Sequence, residues 1–565
     1  MSPKPFLTLS SFPDGELPDG TAPLRLARLA GWSPAHVRHS IVPRGHFPKN
    51  SSLEDDGGNP IAFTFLENMR YPDQTELWPV LHGVNIAVLI QDGNFYADVP
   101  GVTPIGTEIN FFAGNLYWVE SSSVIGLTKY DTLNGAINNS VTSLTVDDAS
   151  TFPTAGVLLI DSELIRYTGK STNTLTGLTR GYGDSNAASH SDNAEVLCFD
   201  SSTLTYTNLR GGTFSDTERS PMLQFAGTLN IGYGRQIIKI EPGGLIITSE
   251  ALVLGDEDEI VDMIEYNGSV YISVSRNGGS EAYIGVWDGV SESLSAVLPI
   301  TGVAESLIET ENSLFAFIYN SIWIFNGADF SLFDYIPGTD YSNANKQNAG
   351  VKVKKASIAV RQNQVLFVPS AGSDQLSFPR GIYGLGRRNS GDPYKLWLEY
   401  LLPESDPYDS DIDINCLGED SSLYNALFLS YDTVNYFRSK DSSSIYVYND
   451  LVLPYFLTNI IELNDSDRAL VSGIRMLWAE RLASEEDFTV KIYFRTDDNC
   501  TLADDTSDWT ELGSLSAAAD VDNINEILYG IYERAWKIQF KICIDSADSP
   551  TTGSVLPAII GMELY

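Results

Sequence analysis

Ala113-Gly114-Asn115-Leu116-Tyr117-Trp118-Val119 is a short turn that opens an apolar run, and the arrangement returns at Ala226-Gly227-Thr228-Leu229-Asn230-Ile231-Gly232. Leu116 and Leu229 stand 113 residues apart, but 66 of these, Asn134 to Phe199, have a different texture, rich in Thr, Ser, Asn and Gly. Without them the spacing is 47. Later turns keep that interval. Asn267-Gly268-Ser269-Val270, Asn312-Ser313-Leu314 and Asn363-Gln364-Val365 set Val270, Leu314 and Val365 at successive steps of 41, 44 and 51. A polar turn feeding a buried strand roughly every 40 to 50 residues is the period of a β-propeller blade.

Strands packed between neighbouring blades are covered on both faces and read as continuous apolar runs. Such runs occur at Ile86-Ala87-Val88-Leu89-Ile90, Val270-Tyr271-Ile272-Ser273-Val274, Leu314-Phe315-Ala316-Phe317-Ile318 and Val365-Leu366-Phe367-Val368. Each of the first three has a companion strand beside a turn dipeptide: Phe95-Tyr96 after Asp92-Gly93-Asn94, Ile284 to Trp287 before Asp288-Gly289, and Ile322 to Phe325 before Asn326-Gly327. These dipeptides supply the positive φ that a tight hairpin requires. Gly381-Ile382-Tyr383-Gly384 and Ala426-Leu427-Phe428-Leu429-Ser430 continue the series, giving six or seven units. A β-sandwich with hairpins of similar length is the competing reading. Composition agrees with an all-β chain: Tyr 28, Phe 25, Trp 9 and Gly 46, with no helical apolar periodicity beyond a turn or two near Leu24 to Ala30.

The expected organisation is an extended, basic, Pro-rich arm over 1–60, a propeller over 61–133 and 200–453, an inserted small β module over 134–199, and a C-terminal β-sandwich over 454–565. Strict alternation supports the last: Val490, Ile492 and Phe494 against Lys491, Tyr493 and Arg495, and Trp536, Ile538, Phe540, Ile542 and Ile544 against Lys537, Gln539 and Lys541. Over residues 1–50, Lys4, Arg25, Arg28, Arg38, Arg44 and Lys49 outnumber Asp14, Glu16 and Asp19, and eight prolines favour an extended path. It reads as an assembly strap, with Arg25, Arg28, Arg38 and Arg44 as the expected interface residues.

The interrupting module carries the most specific resemblance. Val141 to Ala149, Phe152-Pro153, Leu159-Ile160-Asp161-Ser162-Glu163, Ile165-Arg166-Tyr167-Thr168-Gly169, Leu175 to Gly181 with Arg180-Gly181 at its end, and His190 before Ala194-Glu195-Val196 resemble, in order, a small β module of tailed-bacteriophage tail and virion proteins. The chain departs at Tyr182-Gly183-Asp184, where a Gly-rich turn is usual. Read without the family, the segment is four short strands, with Tyr167 and Leu175 offering cross-strand cover. The remaining chain is more loosely similar to propeller-bearing tail nozzle and hub proteins, nearest at Gly381 to Arg387. That likeness implies a homo-oligomeric ring, often sixfold, around the channel through which the genome leaves. It also implies other tail proteins, such as adaptor and fibres, as partners.

Seventy-four acidic against 35 basic residues give a net charge of −39, which repels a polyanion and argues against sequence-reading DNA binding. An acidic wall suits a conduit, because DNA held by phosphate contacts does not slide; an acidic surface is also simply a soluble one. The expected location is the virion tail, assembled in the host cytoplasm. Met1-Ser2-Pro3-Lys4-Pro5-Phe6 leads into no apolar signal core, and no run is long enough to span a membrane. Cys198, Cys416, Cys500 and Cys543 lack Cys-x-x-Cys spacing.

Chemistry-bearing patterns are sparse, and no catalytic, cofactor-binding or metal residue is nominated. His36, His39 and His46 match no standard metal spacing. Asp409, Asp411, Asp413 and Asn415 imitate a calcium loop but have Ile414 where the sharp glycine turn belongs. Asp256-Glu257-Asp258-Glu259 reads as an exposed turn, and Ser275-Arg276-Asn277-Gly278-Gly279 resembles the structural turn of sialidase-type propellers. The expectation is a non-enzymatic nozzle or hub component. Two alternatives stay open: a tail-tip adhesin gripping host glycan through Trp118, Trp287 or Trp323, and a propeller-type polysaccharide hydrolase.

Overall fold

The computed structural model describes residues 104–205 without 122–123 and 183–184, 219–336 without 243–246, 351–371 without 362–363, 381–387 and 393–401. It further describes 7–9, 26–30, 32–33, 42–43, 49–50, 65–66, 69–70, 76–82, 85–90, 414–419, 427–431, 434–438, 455–458, 461–463, 469–478, 489–500, 509–516, 526–545 and 559–564. His36, His39, His46, Arg25, Arg38, Asp409, Asp411, Asp413, Asn363 and the segment 92–96 lie outside these residues, as do Arg44 and the side chains of Arg28 and Asn415.

Among the described residues the regular structure is β, with short 3-10 turns such as Ala149–Thr151 and Lys355–Ser357. The repeated turns sit where the spacing put them. Each joins the first two strands of a small antiparallel sheet: Ile109–Phe112 to Asn115–Ser121, Met222–Phe225 to Thr228–Tyr233, Asp258–Tyr266 to Ser269–Arg276, and Ala304–Thr310 to Ser313–Ile318. All four are two-residue turns with positive φ at both positions: Ala113 and Gly114, Ala226 and Gly227, Asn267 and Gly268, Glu311 and Asn312. That backbone matches strand twist, which is why Gly and Asn recur there.

The Asp-Gly and Asn-Gly dipeptides act differently from expectation. Only the glycines, Gly289 and Gly327, are left-handed there. Asp288 Oδ1 accepts from the Val290 and Ser291 N–H groups and Asn326 Oδ1 from those of Ala328 and Asp329, so side chains cap the start of longer connections.

Seven sheets follow one another among the described residues. The first holds Phe65–Leu66, Met69–Arg70, Glu76–His82 and Asn85–Ile90. The second comprises Ile109–Phe112, Asn115–Ser121, Val124–Thr132 and Glu195–Thr205, extended by Gly156–Ile160 and Glu163–Tyr167. The third, fourth and fifth are four-stranded meanders over 222–253, 258–299 and 304–335, and the sixth begins as one over 358–401. In the seventh, Ile414–Glu419, Leu427–Tyr431 and Val434–Arg438 are completed by Lys49–Asn50. Each sheet lies beside the next, and Ile414–Glu419 of the seventh lies beside Phe65–Leu66 of the first.

Apolar alternation explains the stacking. In Ser269–Arg276, Val270, Ile272 and Val274 pack toward Ile237 and Leu252 of the third sheet, while Tyr271 packs toward Leu307 and Leu314 of the fifth. In Ser313–Ile318, Leu314, Ala316 and Ile318 face the fourth sheet, whereas Phe315 and Phe317 meet Val365 and Phe367 of the sixth. Both faces of these strands are core, as the continuous runs required.

Stacked sheets are about 10 Å apart, so groups on sheets one apart from neighbouring would be about 20 Å away in a parallel pile. Two ion pairs bridge that interval. Arg219, leading into the third sheet, reaches Glu305 of the fifth at 2.5 Å, and Lys355, leading into the sixth, reaches Asp262 of the fourth at 3.2 Å. The leading strands therefore converge at one end while the later strands splay.

The segment expected as an extended arm contributes strands to sheets of its own chain. Leu7–Leu9 pairs with Ile559–Leu564, and Leu26–Ala30 lies between Lys395–Leu401 and Tyr455–Thr458. It thereby joins the sixth sheet edge-to-edge to strands Lys537–Asp545, Thr489–Thr496 and Thr510–Ser516. Among the described side chains, three depart from the expected C-terminal alternation. Arg495 and Gln539, expected outside, are 2% and 0% exposed because they hydrogen-bond to each other at 2.9 Å beneath the Trp509 ring; Trp536, expected inside, is 45% exposed where the chain turns between two sheets.

Backbone conformation alone is tested at Gly227, whose φ is 77° and where an added Cβ would meet nothing within 4 Å. Gly227→Ala is expected to lower unfolding stability by about 1 kcal/mol, and Ala226→Gly to raise it by about 0.5–1 kcal/mol, both read from urea midpoints.

Candidate functional site

The motif residues of the segment 134–199 come together in one place. Gly156–Ile160 and Glu163–Tyr167 form a hairpin through Asp161 and Ser162, with Asp161 left-handed at φ 51°. Ile165 and Tyr167 enter a core with Leu144, Val146, Phe152, Leu158, Leu175 and Cys198. Glu163, two residues before Ile165 on that strand, is carried inward with them and is fully buried. Arg180 is held beside it because the adjacent Thr179 exchanges two backbone hydrogen bonds with Arg166. His190 is held by a reciprocal backbone pair with Ile137.

Glu163 accepts five hydrogen bonds. Oε1 takes Arg180 Nε at 2.8 Å and Gly181 N at 2.9 Å; Oε2 takes Arg180 Nη2 at 2.6 Å, His190 Nε2 at 2.8 Å and Ala188 N at 3.0 Å. His190 Nδ1 meets Asp161 Oδ2 at 2.5 Å. With a carboxylate on each ring nitrogen, both nitrogens donate and the imidazole is a cation. Arg180 also donates to the Asn138 and Ala188 carbonyls. Two acids thus balance two cations, the condition under which buried charge is tolerated.

Burial by itself would raise Glu163, but hydrogen bonds from His190, Arg180 and the Ala188 and Gly181 N–H groups prevail and hold its carboxyl at about 2. Burial would likewise depress His190, yet its hydrogen bonds to Asp161 and Glu163 and their charges push it up to about 9. Gly181 fits because it is left-handed at φ 59° and a Cβ would lie 2.6 Å from the Ser185 carbonyl oxygen. The network locks three segments together. With both ring nitrogens engaged, His190 has none left to exchange a proton with a substrate.

Other singled-out residues are placed as follows. Trp118 and Trp287 are fully buried, Trp118 lying over Gly126 with its N–H on Glu120 and Trp287 donating to the Ser291 carbonyl; Trp323 is half-buried against the fourth sheet. Asp258, expected in an exposed turn, is 2% exposed and binds Arg276 and Tyr283. Burial opposes its ionisation, but these hydrogen bonds and the Arg276 charge leave it below the ordinary Asp value. Arg276, in the sialidase-like turn, is thus a structural partner. Among the described residues no group of three or more His, Cys, Asp and Glu is arranged to hold a metal. No described helix is long and apolar enough to cross a membrane.

Sequence reading missed Arg219, Asp262, Glu305, Lys352 and Lys355, which meet where the leading strands converge. One signal was present: Asp262 and Ser306 are 44 residues apart, the same step as Val270 to Leu314.

Removing Glu163 leaves Arg180 and His190 buried without their anion, so Glu163→Ala is expected to cost about 3–5 kcal/mol in chemical denaturation. The pH dependence has two limits. His190, raised on folding, contributes stability that is complete below its ordinary pKa and fades as pH climbs through about 9. Glu163, lowered on folding, contributes stability that is complete above its ordinary pKa and fades as pH falls through about 2. Protease resistance of the module across pH 3 to 10.5, wild type against His190→Gln, should lose its alkaline limb in the variant.

No protein-family model matches the sequence, nor does any curated protein. Among solved structures, catalytically inactive virginiamycin B lyase from Staphylococcus aureus with quinupristin is similar over 68% of this chain and 97% of its own, at 8% identity and a TM-score of 0.36. YCF48 from Cyanidioschyzon merolae is similar over 67% and 96%, at 9% identity and TM-score 0.32. The N-terminal domain of Nup159 is similar over 76% and 98%, at 9% and 0.31. Likenesses this distant do not bear on what the chain does.

Proposed function

We propose that the chain is a structural, non-enzymatic component of a bacteriophage tail, part of a nozzle or hub ring around the DNA-ejection conduit. In this reading the seven sheets are the blades of one propeller, and 134–199 is a guest module on its second blade. The strand Glu195–Thr205 crosses the module's expected boundary, so guest and blade share a continuous sheet. The observation that carries the reading is the network around Glu163. Asp161, Glu163, Arg180, Gly181 and His190 belong to the motif that resembles phage tail modules, and they are the residues that lock this module's fold.

The remaining geometry supports a scaffold. Two of the three tryptophans that would serve an adhesin are consumed by the core. A net charge of −39 is compatible with passing DNA without gripping it. The proposed partners are further copies of this chain and neighbouring tail proteins, and the proposed location is the virion.

Electron microscopy of the purified full-length protein, and of virions labelled with an antibody against it, tests this. A closed ring and label at the tail are expected. A monomer that binds isolated host polysaccharide would replace the proposal with an adhesin, and release of sugar reducing ends would replace it with a hydrolase.

A further inference from the structure

The convergence of the leading strands builds a second charged centre with a different character. Glu305 is 4% exposed and Asp262 1%, so both acids are inside. Their partners face outward: Arg219 is 32% exposed, Lys352 42% and Lys355 29%. Glu305 holds Arg219 at 2.5 Å and Lys352 at 3.0 Å. Asp262 holds Lys355 at 3.2 Å and accepts the Leu307 N–H at 2.6 Å, two residues along from Glu305. Lys355 also donates to the Leu307 carbonyl at 2.7 Å, so the Asp262–Lys355 pair is anchored on the strand that carries Glu305, with the approaches to the third and sixth sheets supplying the cations.

Among the described residues, three partly exposed cations over two buried acids leave one positive charge, on a chain that is otherwise strongly acidic. Donors remain over: Arg219 commits Nη2 to Glu305, and Lys352 commits one of three ammonium hydrogens to it. An ion network serving stability alone has no need of the extra cation.

We propose that this mouth is a binding site for a tetrahedral oxyanion of the phosphate class, held by Arg219, Lys352 and Lys355 from three sides, with Glu305 and Asp262 fixing the cations in place. Charge-assisted hydrogen bonds to a preorganised set of this kind are short and strong. The site does not depend on the tail assignment.

Thermal melts of the full-length protein in sodium phosphate, in glucose 1-phosphate and in sodium chloride at matched ionic strength test it. Both phosphates are expected to raise the melting temperature above the chloride value in a saturable way. Stabilisation by inorganic phosphate alone would mean a free ion is the ligand; stabilisation by both would mean the group is read on a larger molecule too. Lys352→Gln, which leaves Glu305 paired with Arg219, should weaken the apparent affinity about tenfold, whereas Lys354→Gln at an exposed neighbour should not. Absence of a phosphate-specific shift in the wild type, or equal affinity in Lys352→Gln, would overturn the site.

Discussion

Two-sided burial of the second strand in the second to sixth sheets is the constraint on which the rest depends. A strand such as Leu314 to Ile318 cannot leave either face in water, so each sheet must be flanked by two others. Faces are therefore covered in sequence order, each sheet packing on the last. The narrow ends bring charged residues of non-adjacent sheets within hydrogen-bond reach, and this is where Glu305 and Asp262 find the cations that make their burial tolerable.

The same logic of paired burial governs the module, but its purpose there is different. Around Glu163 both carboxylate oxygens and both His190 ring nitrogens are matched within the segment, which ties short strands and long polar turns together. At the convergent mouth the acids are interior and the cations are not, so part of the charge is left to face outward. A saturated network suits a locked scaffold; an unsaturated one suits recognition.

The segment 134–199 and the second sheet are coupled by Val124–Thr132 and Glu195–Thr205, which pair along their length and pass from one core to the other. Leu127 packs in the core shared with the third sheet, while Val196 and Cys198 pack in the module. Motion of the module would have to bend this two-stranded stem. The N-terminal segment has a comparable tying role, since Leu26–Ala30 welds the sixth sheet to the C-terminal strands and Lys49–Asn50 completes the seventh.

Local chemistry was enough to reveal the β class, the turn positions and the buried runs, because a two-residue turn with positive φ at both positions and a strand covered on two faces each leave a mark on adjacent residues. Ala226-Gly227 and Val270 to Val274 are legible for that reason. The resemblance of segment 134–199 to a phage tail module rests on the order of its elements from Val141 to Val196, with Asp161, Glu163, Arg180 and His190 among them. That these four meet, that Arg495 and Gln539 hide each other, that Asp258 is buried, and that Arg219 reaches Glu305 across an intervening sheet were decided by the tertiary structure alone. A charge is buried only where distant chain supplies its counter-charge, and separations of 86 and 93 residues carry no local trace of that partnership.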